Sequence, residues 1–185
     1  MQLTAKPRAE ETKGGLKQMR RAGTIPAVLY SPNNEAQSLT IERVELETAF
    51  RKIKEGMLST SVFKLNLDKG KKKAIVKDVQ YHPTNYKVLH LDFEELSEDV
   101  PVRINVPIIL TGVMDCIGVK LGGFLRQVLR TIKVECLPKH IPTHFEIDVR
   151  DLAVGKTLKL SDLTLPAGVK GIYKSDQVMV LVSKK

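Results

Sequence analysis

The chain has 185 residues, 42% of them hydrophobic and 28% charged, ordinary proportions for a globular protein with room for one large domain or two small ones. Its 30 basic and 21 acidic residues leave a net charge of +9, which favours a polyanionic partner without separating RNA from DNA or anionic lipid. No apolar run approaches the roughly 20 residues of a bilayer span, residues 1–11 lack the apolar stretch of a secretion signal, and the only two cysteines, Cys116 and Cys136, argue against a disulfide framework or a cysteine-rich zinc site.

The expectation is a cytosolic protein with two reduced, buried thiols, although oxidative pairing of the two stays open. Its basic excess is uneven. Up to Tyr30 there are six basic residues (Lys6, Arg8, Lys13, Lys17, Arg20, Arg21) against Glu10 and Glu11. Residues 1–94 carry 17 basic and 11 acidic side chains, and residues 95–185 carry 13 and 10.

In chain order, residues 10–22 read as a polar, glycine-containing loop with a short basic helical turn. Gly23 and Pro26 then set the path into a short apolar strand at 27–30 that ends in Tyr30. Leu46, Ala49, Phe50, Ile53 and Met57 recur at helical spacing, and Gly56 is placed to end that helix. Residues 62–67 and 74–79 alternate as half-buried strands. Between them Asp68-Lys69-Gly70 reads as the turn, with Lys71-Lys72-Lys73 solvated beside it rather than making a specific contact. Residues 88–93 alternate again, so His90 and Asp92 point the same way, opposite Leu91 and Phe93.

The acidic segment 94–100, closed by Pro101, suggests a domain boundary. Beyond it, residues 103–110, 131–137, 144–149, 157–160 and 177–182 read as strands separated by Gly- and Pro-containing turns. No long amphipathic helix is evident there, so a mostly β domain is expected. Gly118, Gly122 and Gly123 lack phosphate-loop spacing, and a tight turn or close backbone packing is the plainer reading.

Two chemistries compete for the polar residues of the first half. His82, His90 and Asp92 could bind a metal or form a base–orienter pair. Yet no partner nucleophile, second carboxylate pair, phosphate loop or dinucleotide fingerprint accompanies them. The alternative is recognition of A-form RNA, whose wide minor groove exposes 2′-hydroxyls and base edges. Basic groups would hold phosphates while Tyr30, Gln80, His90 and Asp92 met the groove; on composition alone the basic segment reads more readily as a solvated surface.

Several motifs in order carry a resemblance: Arg20-x-x-Gly23-x-Ile25-Pro26-Ala27-Val28-Leu29-Tyr30, Lys77-Asp78-Val79-Gln80-x-His82-Pro83, and His90-x-Asp92-Phe93. Later come Gly118-Val119-Lys120-x-Gly122-Gly123, Ile141-Pro142-x-x-x-Glu146-Ile147-Asp148-Val149, and residues 155–163. With these the chain resembles the bacterial large-subunit ribosomal proteins that bind 5S rRNA, in the long two-domain form called the general stress protein Ctc family. The resemblance implies a mainly β fold with a few helices: a six-stranded RNA-binding barrel over residues 1–94 and a β-rich domain over 95–185. It implies docking on the loop E region of 5S rRNA through the minor groove, with contacts from Arg8, Lys13, Lys17, Arg20, Tyr30, Asp78, Gln80, His90 and Asp92. Arg21 joins them by charge and neighbourhood. The second domain is expected to reach other components of the central protuberance. No enzyme activity, cofactor, metal, membrane or small-molecule substrate is implied, and the location is the cytoplasmic ribosome. The runner-up is a stress-related interaction protein acting off the ribosome. Ser31 and Gln18 depart from the family's usual glycine and basic residue, Met19 from its leucine, and residues 113–117 from its usual turn.

Overall fold

The computed structural model describes residues 1–9, 12–31, 34–67 and 70–184. They form two compact units, residues 1–100 and 101–185. The first is built on six strands: β1 (Gln2–Pro7), β2 (Thr24–Ser31), β3 (Asn34–Glu42), β4 (Val62–Leu67), β5 (Gly70–Tyr81) and β6 (Val88–Glu95). They close into a barrel in the order β1-β3-β2-β6-β5-β4. Closure leaves no sheet edge to template pairing with another chain. The period-2 alternation builds the core, because every strand sends two or three small or branched apolar side chains inward. Leu3 and Ala5, Ile25 and Leu29, Leu39 and Ile41, Phe63 and Leu65, and Leu91 and Phe93 are at most 1% exposed.

Two helices belong to this unit, α1 (Lys13–Arg21) and α2 (Arg43–Arg51). Leu46 and Ala49 of α2 are buried against the barrel core, as their spacing predicts. The helix stops earlier than expected, at Arg51, and Ile53 packs on the core from the turn that follows. Gly56, at φ +79°, belongs to a further turn rather than to the helix end. The short basic helical turn expected within the 10–22 loop is longer than read, a nine-residue helix from Lys13. Thr12 caps it by accepting from the Gly15 N–H at 3.4 Å. Gly23, at φ +88°, turns the chain out of α1.

β2 begins at Thr24, so Pro26 lies inside a barrel strand rather than ahead of one. The parallel ladder with β6 begins only at Ala27, so the missing Pro26 N–H falls just outside it. The lysine run also differs from expectation. Lys71, Lys72 and Lys73 lie within β5, paired with β4, and Lys72 meets Glu95 at 2.8 Å. Of the turn read there, Asp68 and Lys69 lie outside the described residues.

The second unit holds β7 (Val102–Thr111), α3 (Ile117–Lys120), β8 (Phe124–Gln127), β9 (Thr131–Cys136), β10 (Phe145–Asp148), β11 (Thr157–Lys159), β12 (Val169–Gly171) and β13 (Val178–Ser183). Four strands form a sheet in the order β10-β7-β9-β12, and three form another in the order β11-β13-β8. Both cysteines are buried free thiols, and burial pushes the Cys136 thiol up from its ordinary pKa. The glycine cluster is close packing. A Cβ on Gly118 would stand 2.8 Å from the Leu152 carbonyl, and one on Gly123 would stand 2.7 Å from the Gly118 carbonyl.

Candidate RNA interface

Three adjacent barrel strands carry the polar groups singled out in the sequence. Across the β5–β6 ladder Asp78 faces Asp92 and Gln80 faces His90, while Val28 of β2 faces Asp92 from the other side. Directly paired residues share a face, so Asp78, Gln80, His90 and Asp92 all stand outside the barrel. Bulges bracket this patch. The register shifts between Val76 and Asp78, making Lys77 the extra residue of β5, and again between Gln80 and Tyr81, making Leu89 the extra residue of β6. Bulges re-aim the side chains beside them and strengthen local twist.

Asp92 organises the patch. Its Oδ1 lies 2.7 Å from His90 Nδ1, and its Oδ2 lies 3.5 Å from the Tyr30 hydroxyl, the outer limit for a hydrogen bond. A carboxylate only accepts, so His90 Nδ1 carries the hydrogen of that contact. In the neutral ring Nε2 is then an acceptor, suited to a 2′-hydroxyl or a base amine. Tyr30 is 45% exposed, and Asp78 and Gln80 are exposed beside it. His82 is not part of this group: its Nδ1 lies 2.9 Å from the Thr84 hydroxyl. Among the described residues no cluster of three potential metal ligands occurs.

The cations fall into three placements. Lys13, Lys17 and Arg21 recur every four residues along α1 and are exposed, forming one basic stripe. Leu16, Met19 and Arg20 lie on the half-buried side of the helix. Arg20 donates from Nε to the carbonyl of the bulge residue Leu89 at 2.9 Å, which ties α1 to the strand carrying His90 and Asp92. Arg8 follows β1, which β3 and β2 separate from β6; its N–H donates to the Ser38 carbonyl at 3.0 Å and its Nε to the Leu39 carbonyl at 3.2 Å. The structure thus gathers Tyr30, Asp78, Gln80, His90, Asp92 and Arg20, sets the α1 stripe on its own helix, and leaves Arg8 apart.

The known relatives decide the family. Residues 3–93 match the Ribosomal L25p family model, and residues 101–185 match the model for the C-terminal domain of ribosomal protein TL5. Over 185 residues, covering both chains completely, the sequence is 43% identical to the large ribosomal subunit protein bL25 of Chlamydia pneumoniae. The bL25 proteins of Chlamydia muridarum and Chlamydia abortus are 43% and 42% identical over the same full length. The chain belongs to the bL25 family.

In this bL25-family chain one site residue escaped the sequence reading. Arg43, the first residue of α2, donates from Nη2 to the Arg20 carbonyl, and its backbone N–H donates to the Gly23 carbonyl at 2.9 Å. The Arg20 carbonyl accepts only a long 3.4 Å bond from the Gly23 N–H, so the guanidinium strengthens its satisfaction and opposes the helix dipole. No local signal announces this clamp, because the partners are 23 residues apart. Arg43→Met is expected to loosen the last turn of α1 while the barrel stays folded. Hydrogen exchange would read it as faster exchange across residues 16–23 with unchanged protection in β2 and β6; uniform loss of protection would instead make Arg43 a barrel residue.

Proposed function

We propose that this protein holds 5S rRNA in the large ribosomal subunit, docking on the loop E region through its minor groove and stabilising it in the central protuberance. Membership of a ribosomal protein family makes it a ribosome-associated structural protein of the cytoplasm, not an enzyme. In this reading residues 1–94 are the RNA-binding domain, and residues 95–185 reach other components of the central protuberance.

The observation that carries the reading is the outward row Gln80, His90 and Asp92 with Tyr30, set beside the exposed cations of α1. The row offers a fixed set of acceptors and donors on a convex, closed barrel, suited to a wide and shallow groove rather than a deep one. The cations supply the sequence-independent phosphate grip, and the polar row supplies discrimination. The 5S and loop E assignment itself comes from the resemblance of the Arg20–Tyr30, Lys77–Pro83 and His90–Phe93 motifs.

The test is binding of the full-length protein to 5S rRNA against a control duplex of matched length. His90→Ala or Gln80→Ala is expected to lose about 1–3 kcal/mol of preference for 5S rRNA while the salt dependence stays as it was. Equal weakening on both RNAs would refute the division of labour, and equal wild-type affinity for both would refute the 5S assignment.

A further inference from the structure

The outer wall of the barrel on β1, β4 and β5 lies apart from the polar row on β5 and β6. These three strands are neighbours in the closed sheet. Gln2 pairs with Lys64 and Lys64 with Lys73; one step along, Thr4 pairs with Asn66 and Asn66 with Lys71. Paired residues share a face, and the intervening Leu3 and Leu65 are buried in the core, so these side chains form a two-row grid on the outside. Lys64, Lys71 and Lys73 are exposed, whereas Lys72, between the last two, is engaged with Glu95 at 2.8 Å.

The grid holds three cations and no acid. Lys64 and Lys73 stand directly opposite each other, where like charges repel and cost stability until an anion lies between them. The carboxylates around the grid are engaged elsewhere. Glu45 accepts from the Thr4 N–H at 2.9 Å and from the Thr4 hydroxyl at 3.2 Å. Glu95 is held by Lys72 and Glu94 by Lys77, and these two pairs lie along β5 and β6 between the grid and the facing Asp78 and Asp92. Lys6, the next outward residue of β1, is exposed and extends the basic wall.

We infer that this grid binds the sugar–phosphate backbone of an RNA duplex other than the one met by the polar row, so that the barrel joins two RNA segments. Lysine ammonium groups are compact point charges, suited to phosphates met one by one. Phosphate contacts hold nucleic acid in place without reading its sequence, which fits a face that carries no aromatic ring. Gln2 and Asn66 add neutral amides of the kind that also meet phosphate and sugar oxygens. A protein partner fits less well. The centres of protein interfaces are depleted in lysine and enriched in aromatic side chains, and no residue of the grid is apolar. The inference rests on the proposed function only in taking the row as already occupied.

The experiment is acetylation footprinting of the full-length protein, with each lysine read by mass spectrometry. The protein is probed alone, then saturated with 5S rRNA, then with a short RNA duplex of unrelated sequence added. 5S rRNA is expected to shield Lys13 and Lys17 and to leave Lys64, Lys71 and Lys73 reactive. The duplex should then shield these three, while the exposed Lys156, Lys174 and Lys184 of the second unit stay reactive. The Lys64→Gln, Lys71→Gln, Lys73→Gln variant should bind the duplex about tenfold more weakly, with a salt slope lower by about 2.7, and should bind 5S rRNA as before. It should melt no lower than the wild type, since facing like charges have been removed. Failure of 5S rRNA to shield Lys13 and Lys17 would count against the proposed function alone, and the duplex arm would still decide the grid. The inference falls if the duplex leaves Lys64, Lys71 and Lys73 reactive, or if 5S rRNA by itself shields them. It falls too if a Lys156→Gln, Lys174→Gln, Lys184→Gln variant loses duplex binding equally. Shielding by polyglutamate as strong as by the duplex would give the grid to an acidic protein instead.

Discussion

Phe93→Ala is expected to cost the first unit about 3–5 kcal/mol, the usual penalty for emptying a buried aromatic site. Phe93 is 0% exposed and packs edge-on against Phe63, with ring centroids 6.0 Å apart at 76°. Phe63 in turn lies 6.4 Å from Phe50, just beyond whose position α2 ends, so the cavity would open at the inner end of an aromatic chain that reaches α2. Such a loss is a large fraction of the 5–15 kcal/mol that typically holds a domain together. The site would suffer with the core. β6 is one strand between β2 and β5, and the backbone that buries Leu91 and Phe93 is the one that presents His90 and Asp92. Urea unfolding of the full-length protein would read the change as a lower midpoint for the first transition, with an unchanged slope. A shift worth less than about 1 kcal/mol would mean that the barrel repacks around the gap.

The same strand shows what was legible in the sequence. Strict alternation over 88–93 placed His90 and Asp92 on one face because a strand has period 2 whatever surrounds it. Barrel closure was not legible from that alternation; it came from the family motifs, since strand order is a matter of long-range pairing. The sequence showed only a turn of α1, and its full length was hidden for a physical reason. Gly14 and Gly15 disfavour helix, none of its residues is fully buried, and its hold on the barrel comes from Arg20 on Leu89 and Arg43 on Arg20. Two strands of the second unit were also missed. β12 has three residues and β8 four, and both follow closely on glycine-containing turns. The bulges at Lys77 and Leu89 left no mark either, because a bulge is a relation between two strands. The patch was therefore legible as a set of residue types, and its geometry was not.

Replacing Lys13, Lys17 and Arg21 together by alanine is expected to produce the largest loss of RNA affinity of any surface change in the first unit. The three side chains are exposed along one side of α1, at i, i+4 and i+8, so they can follow a phosphate backbone as a line of charge. Each duplex phosphate contact contributes about 0.9 to the slope of log affinity against log salt, so the slope should fall by about 2.7. Discrimination should survive, because phosphate contacts carry no sequence information and the row at Gln80, His90 and Asp92 is untouched. Alanine favours helix more than the residues it replaces, so circular dichroism should show no loss of α1. Arg20 cannot be read as cleanly. Its Nε holds Leu89, and Arg20→Ala would release the helix as well as any phosphate. A triple variant whose salt slope falls by less than about 1 would identify the stripe as a solvated face. The grip would then belong to Arg20 and Arg8, both anchored to barrel carbonyls and so already held in place for a ligand.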